Sequence, residues 1–151
     1  MVPVVRGLVA AGCLLLSGAA LAAEPEPAPA EEREYVSTAP TRTALKDPLF
    51  AMPGKEAYVI EVTLPAGWVG PRHYHTGDVF VYVAAGQFTV DVDGEERKVF
   101  EAGQVYHEAR NTNMQARNQS ATVETKLILF QVGDVGEPLM MMAPAHEGHD
   151  G

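Results

Sequence analysis

The stretch GPRHYHTGDVFVYVAAG, residues 70–86, places His73 and His75 two positions apart at the start of an apolar run. Residues two apart in an extended strand point to the same face, so both imidazoles face one side. Val79 points to that side too if the strand is unbroken. Ala84-Ala85-Gly86 then predicts a turn. The segment therefore predicts one strand that presents two imidazoles beside aliphatic side chains.

Short alternating runs separated by turn signals continue on both sides of this segment. In YVIEVTLP, residues 58–65, apolar side chains alternate with polar ones, and Gln87 to Asp93 alternates in the same way. Asp93-Gly94 then predicts a hairpin turn. No segment after residue 50 keeps a helical period over ten or more residues. Strands at roughly ten-residue spacing predict an all-β fold, an antiparallel sandwich or small barrel.

Residues 1–22 have the composition of a secretory signal peptide. Arg6 precedes an apolar run too short to span a membrane comfortably, and Ala20-Leu21-Ala22 has the small-x-small pattern of a cleavage site. We therefore predict export to the periplasm or the extracellular space. A lipoprotein anchor at Cys13 is the less favoured alternative. Cleavage removes Cys13 and leaves no cysteine, which excludes disulfides and thiolate metal sites from the mature chain.

Three further segments follow the signal peptide. Residues 23–50 are rich in Pro and Glu, and we predict a mostly disordered leader. Residues 51–133 hold the predicted strands and form the predicted barrel. Residues 134–151 are irregular and predict a flexible tail. That tail concentrates soft and imidazole ligands, which are Met140, Met141, Met142, His146 and His149.

The charge of the chain limits its partners. The 151 residues include 20 acidic and 11 basic side chains, for a net charge of −9 at pH 7. Removal of the predicted signal peptide takes away one basic side chain and leaves about −10. An acidic surface argues against nucleic acid and against anionic membranes, and favours cations as ligands. We predict no membrane span in the mature chain.

The glycines and histidines around the opening stretch resemble the first motif of the cupin superfamily. Gly67 is followed, after five residues, by His73 and His75, and Gly86 closes the pattern. A second motif, with a His shortly before an Asn, is similar to the segment that ends at Asn118. The resemblance implies a jelly-roll β-barrel and an iron or manganese ion bound by two His, one Glu and a third His.

Two ligand positions of that pattern are altered in this chain. The position of the Glu falls at Val79, and the position of the third His falls at Met114. Thioether and imidazole without a carboxylate favour copper, especially Cu(I), over iron or manganese. We therefore predict a copper site made by His73, His75 and Met114, used to handle or buffer copper rather than to turn over a substrate.

Several alternatives stay open at this point. His107, Asp78 and Glu108 are less favoured ligands, and an oxygen ligand from Asp78 or Glu108 would suit an iron- or manganese-dependent enzyme. Met114 also fits a plain core residue, and a metal-free barrel could bind a small organic molecule. Phe80 and Tyr82 face away from Val79 and need cover, which predicts a homodimer.

Overall fold

The computed structural model describes residues 32–144, and all regular secondary structure in that range is β. Ten strands form two five-stranded antiparallel sheets, which confirms the predicted all-β jelly-roll architecture. The strands are β1 Thr41–Pro48, β2 Lys55–Leu64, β3 His73–His75, β4 Asp78–Ala85, β5 Gln87–Val92, β6 Lys98–Glu101, β7 Val105–Glu108, β8 Met114–Arg117, β9 Thr125–Asp134 and β10 Met140–Met142.

The two sheets enclose one apolar core. The first sheet has the strand order β1-β2-β9-β4-β7, and the second has the order β10-β3-β8-β5-β6. Alternation along each strand sends one set of side chains inward, including Val81 and Leu129 from the first sheet and Phe88 and Val90 from the second. The inward side chains of both sheets therefore share the space between the sheets.

The opening stretch forms two strands instead of the single one predicted. β3 belongs to the second sheet and β4 to the first, and the chain crosses between them at Thr76 and Gly77. A Cβ at Gly77 would collide with the carbonyl oxygen of Val132 on β9, so only glycine fits this crossing. Val79 is nevertheless fully buried and faces the interior, as the histidines do.

The ordered strands extend past both ends of the predicted barrel. β1 lies inside the segment predicted as a mostly disordered leader, and β10 lies inside the segment predicted as a tail. All eight residues of β1 are exposed, so this edge strand is held by its backbone pairing to β2 and has no apolar period to reveal it. The predicted signal peptide, His146 and His149 lie outside the described residues.

Within residues 32–144, no helix is long and apolar enough to cross a membrane.

Candidate functional site

His73 and His75 are both buried at the edge of the space between the two sheets. Their rings are 5.2 Å apart between centroids and lie edge to face. The ring of Tyr35, which precedes β1, lies 4.6 Å from the ring of His73. Burial lowers the pKa of His73 below its ordinary value, and the neighbouring His75 lowers it further. His73 is therefore held as the neutral imidazole, which is the form that binds metal ions.

The Nδ1 atom of each imidazole has an oxygen acceptor. Nδ1 of His73 donates to the carbonyl of Pro71 at 3.0 Å, and Nδ1 of His75 donates to Oε1 of Gln131 at 3.1 Å. Gln131 is itself oriented because its Nε2 donates to the carbonyl of Leu139. An acceptor at Nδ1 places the lone pair of a neutral imidazole on Nε2. Histidines that bind metal ions are oriented in this way.

Glu108 is the carboxylate that lies beside this pair. It is buried at the end of β7, and its Oε2 atom lies 3.1 Å from Nε2 of His75. This distance lies within the range of a hydrogen bond. The separation also suits two neighbouring ligands of one ion, since bonds of about 2.1 Å at a right angle end about 3 Å apart.

Val79 occupies the position where the cupin pattern has a Glu. The register of the first sheet explains how polar side chains from other strands nevertheless reach the two histidines. Val79 is opposite Glu108 on β7 and opposite Gln131 on β9, so the three side chains form one inward row. His75 contacts both polar members of the row and therefore lies across Val79. Gln131 was not predicted, because no local pattern relates β9 to β3.

Methionines flank both histidines in the second sheet. His73 is directly opposite Met114 on β8 and Met142 on β10, and His75 is directly opposite Met140. Residues opposite each other in an antiparallel pair point to the same face. Met114 is fully buried in the core, and Met140 lines the same cavity as the two histidines. The structure therefore brings the methionines of the predicted tail to the His-x-His strand.

His107 and Asp78 lie on the other side of the first sheet, away from the histidine pair. The Nε2 atom of His107 donates to Oδ1 of Asp78 at 3.0 Å, and the His107 ring stacks on Phe80. Both side chains are about half exposed. The alternation of β7 thus points Glu108 inward and His107 outward, since adjacent residues in a strand face opposite sides.

The histidine pair opens onto a cavity of about 100 Å³ between the sheets. Glu108 and Gln131 share its polar end with the histidines. Aliphatic and aromatic side chains form most of its wall, namely Ile60, Val62, Leu64, Trp68, Val81, Phe88, Leu127, Leu129 and Leu139. Among residues 32–144, no three His, Cys, Asp or Glu side chains are grouped as the ligands of one metal ion.

A family model described as the cupin domain matches residues 60–130. The matched segment runs from β2 into β9 and includes both histidines, Glu108 and Met114. No curated protein matches this sequence. The family match agrees with the resemblance carried by the His-x-His motif.

Solved structures with the same architecture include a conserved protein with a double-stranded β-helix domain from Klebsiella pneumoniae. It has a TM-score of 0.54 and 15% identity over 74% of this chain and 90% of its own. The cupin domain of Cnp3 from Schizosaccharomyces pombe has a TM-score of 0.51 and 17% identity, and covers 66% and 64%.

The DMSP lyase DddQ from Ruegeria pomeroyi is similar to this chain with a TM-score of 0.52 and 17% identity. The likeness covers 61% of this chain and 45% of the lyase, so the chain spans less than half the length of that enzyme. At such identities these three likenesses show the fold alone.

Proposed function

Because a family model of the cupin domain matches residues 60–130, we propose that the protein uses this barrel to bind one copper ion, as Cu(I), and to hold or pass it on outside the cytoplasm. His73 and His75 supply imidazole nitrogen, and Met114 supplies thioether sulfur. The tail strand β10 adds further thioethers beside the same histidines.

Methionines that pair with the two histidines across the second sheet carry the proposal. Met142 and Met114 flank His73, and Met140 is directly opposite His75. Cβ atoms of directly opposite residues are about 4.5–5.5 Å apart, so each sulfur is within reach of an ion on the imidazole. Thioether and imidazole together select Cu(I) among the common metal ions.

The apolar surroundings of the histidines favour the same ion. Val79 takes the place of a carboxylate, and Val81 continues the aliphatic wall behind it. A mostly aliphatic shell disfavours strongly hydrated divalent ions more than it disfavours Cu(I). The acceptors Pro71 and Gln131 keep the Nε2 lone pairs available without adding charge.

Export is the part of the proposal that rests on residues 1–22 alone. Their charge, apolar run and small-x-small site are those of a secretory signal peptide. The net charge of about −10 that remains after removal of residues 1–22 would attract cations to the surface of an exported protein. In this proposal copper is the cargo that an exported protein holds or passes on.

The test is an anaerobic titration of the mature protein with Cu(I) in competition with a chromophoric chelator. We expect one Cu(I) per chain, and an affinity at least about tenfold lower in Met114→Leu and in Met140→Leu, because each change removes a sulfur and keeps the shape. Met52→Leu is the matched control, since Met52 is exposed and lies outside the site. Wild-type affinity in both site variants would exclude the thioether ligands.

A second candidate function is a metal-dependent enzyme that uses His73, His75 and Glu108. The inward position of Glu108, 3.1 Å from His75, favours it, because two His and one carboxylate suit iron or manganese. The apolar cavity would then hold a small substrate. Retention of Fe(II) or Mn(II) through purification, with loss of that metal in Glu108→Gln, distinguishes this candidate from copper binding.

A further inference from the structure

Residues 33–37, which we name the strap, run along the outer edge of β10, the strand that pairs with β3. The backbone N–H of Tyr35 donates to the carbonyl of Met140 at 3.1 Å, and the backbone N–H of Met142 donates to the carbonyl of Arg33 at 2.7 Å. Tyr35 is buried, whereas both of its neighbours in the sequence are exposed. The strap therefore buries one large side chain and leaves the residues beside it in water.

The buried ring of Tyr35 lies on the histidine pair. It is 4.6 Å from the ring of His73 between centroids, is tilted by 35° against it, and lines the same cavity as both histidines. His73 and His75 are only 5% and 2% exposed. A hydrated ion cannot reach side chains this buried unless a segment that covers them moves.

The two segments beside the histidines differ in how firmly they are held. β10 pairs with β3 along all three of its residues, and the side chains of Gln131 and Thr76 donate to the carbonyls of Leu139 and Pro138 just before it. Within residues 32–144, two backbone hydrogen bonds tie the strap to β10. Because a short segment with few hydrogen bonds opens at a lower free energy than a paired strand, the strap opens before β10 does.

The other end of the strap is anchored to the barrel. Nε1 of Trp68 donates to Oγ1 of Thr38 at 3.0 Å, and the carbonyl of Pro40 accepts from the backbone N–H of Thr63 in β2 at 2.9 Å. Ala39, which lies between the two anchored residues, is buried in the core. The strap can therefore turn about a fixed point without leaving the protein.

We propose that the strap is a gate over the histidine pair and that Tyr35 is the side chain that closes it. The inference rests on the proposed metal-binding function, because it assigns the route by which the ion enters and leaves. In the closed position the Tyr35 ring covers His73 and excludes water from it. When the two hydrogen bonds to β10 break, the strap turns about residues 38–40 and the imidazole becomes accessible to an ion in solution.

Acylation of histidine by diethyl pyrocarbonate measures this cover in the metal-free mature chain, with peptide mass spectrometry as the readout. We expect His73 to react at least about fivefold faster in Tyr35→Ala than in the wild type, because a neutral imidazole reacts once it is exposed. Tyr35→Phe keeps the ring and should stay within about twofold of the wild type. Val36→Ala is the matched control, since Val36 is 78% exposed. His107, which is half exposed, should react equally in all four proteins.

The rates of Cu(I) uptake and of Cu(I) transfer to a chromophoric chelator, measured anaerobically by stopped flow, test the gate on the ion itself. We expect both rates to rise at least about fivefold in Tyr35→Ala with Kd within about threefold of the wild type, because a gate changes both rates and leaves the ligands in place. A lower affinity with an unchanged uptake rate would overturn the gate. A wild type that takes up no Cu(I) would refute the copper proposal, and the acylation rates would then decide the gate alone.

Hydrogen exchange of the wild type tests the opening without any substitution. The amides of Tyr35 and Met142 donate the two strap bonds, so we expect them to exchange together and at least about tenfold faster than the amides of β9, the central strand of the first sheet. Protection equal to that of β9 would overturn the proposal. An unchanged rate of His73 acylation in Tyr35→Ala would also overturn it, provided that a thermal melt shows this variant to be folded.

Discussion

Glu108 and Gln131 lie directly opposite the same residue, Val79, on the two strands that flank β4. His75 contacts both of them, at 3.1 Å in each case, through its two ring nitrogens. The carboxylate of the site therefore comes from β7, one strand away from the position where the cupin pattern has it. A small Val79 leaves room for the imidazole to lie between the two polar groups.

Glu108→Gln separates the two candidate functions. We expect Cu(I) affinity within about threefold of the wild type, because the copper ligands proposed here are imidazole and thioether. The metal-free variant should be destabilised by about 1–3 kcal/mol, since the buried contact of His75 with a carboxylate is replaced by one with an amide. Chelator competition and urea unfolding measure the two effects. A fall in Cu(I) affinity as large as that of Met114→Leu would make Glu108 part of the copper site.

Val79→Glu should convert the site toward harder metal ions. The new carboxylate would be buried among Glu108, Gln131 and His75, which costs about 3 kcal/mol or more in the metal-free protein. We expect Mn(II) or Fe(II) to recover part of that loss as a higher melting temperature. Val83→Glu is the control, because Val83 is equally buried on β4 but outside the site. An identical melting response in the two variants would contradict the prediction.

Gly77→Ala should destabilise the protein by about 2–3 kcal/mol, because its Cβ would meet the Val132 carbonyl at the crossing between the sheets. Gly133→Ala is the matched control, since the nearest atom to its Cβ lies 4.0 Å away. We expect the control to lose less than about 1 kcal/mol. Equal losses, measured by urea unfolding, would show that the crossing tolerates a side chain.

Asp91→Asn should cost about 1 kcal/mol at neutral pH, and the cost should vanish in acid. Arg97 and then Arg117 hold the pKa of Asp91 below its ordinary value of 3.8. The stabilisation is therefore present above pH 3.8 and is lost as the pH falls through the lower native value. Unfolding free energies of the wild type and the variant between pH 7 and pH 2.5 should converge at the acidic end. A constant difference would rule out a charge effect.

The amino-acid sequence predicts the architecture well, because turn glycines and alternating runs are local signals. An all-β sandwich or barrel follows from them, and so does the inward side of Val79, whereas the jelly roll is implied by the resemblance to cupins. The two strands found in the predicted leader and tail, β1 and β10, do not follow from local signals. β1 has no apolar period, and β10 has only three residues, so both strands depend on backbone pairing with distant segments.

The predicted site depends on pairing in the same way. His73, His75 and Met114 come from two motifs that the sequence displays. Alternation alone indicates that only one of His107 and Glu108 faces inward, and it does not say which. The register of β7 against β4 decides that Glu108 is the inward residue. The register of β9 brings Gln131, which follows His75 by 56 residues in the sequence, to the same site.

Both ends of the described chain meet beside the histidines. Tyr35 donates its backbone N–H to Met140, and Met142 donates its backbone N–H to Arg33, so residues 33–35 and β10 form a paired edge next to β3. A polyhistidine tag added at either terminus would bring further imidazoles that compete with His73 and His75 for the metal ion. Metal content measured on tagged protein would then describe the tag as well as the site, so preparations should be tag-free before any metal is counted.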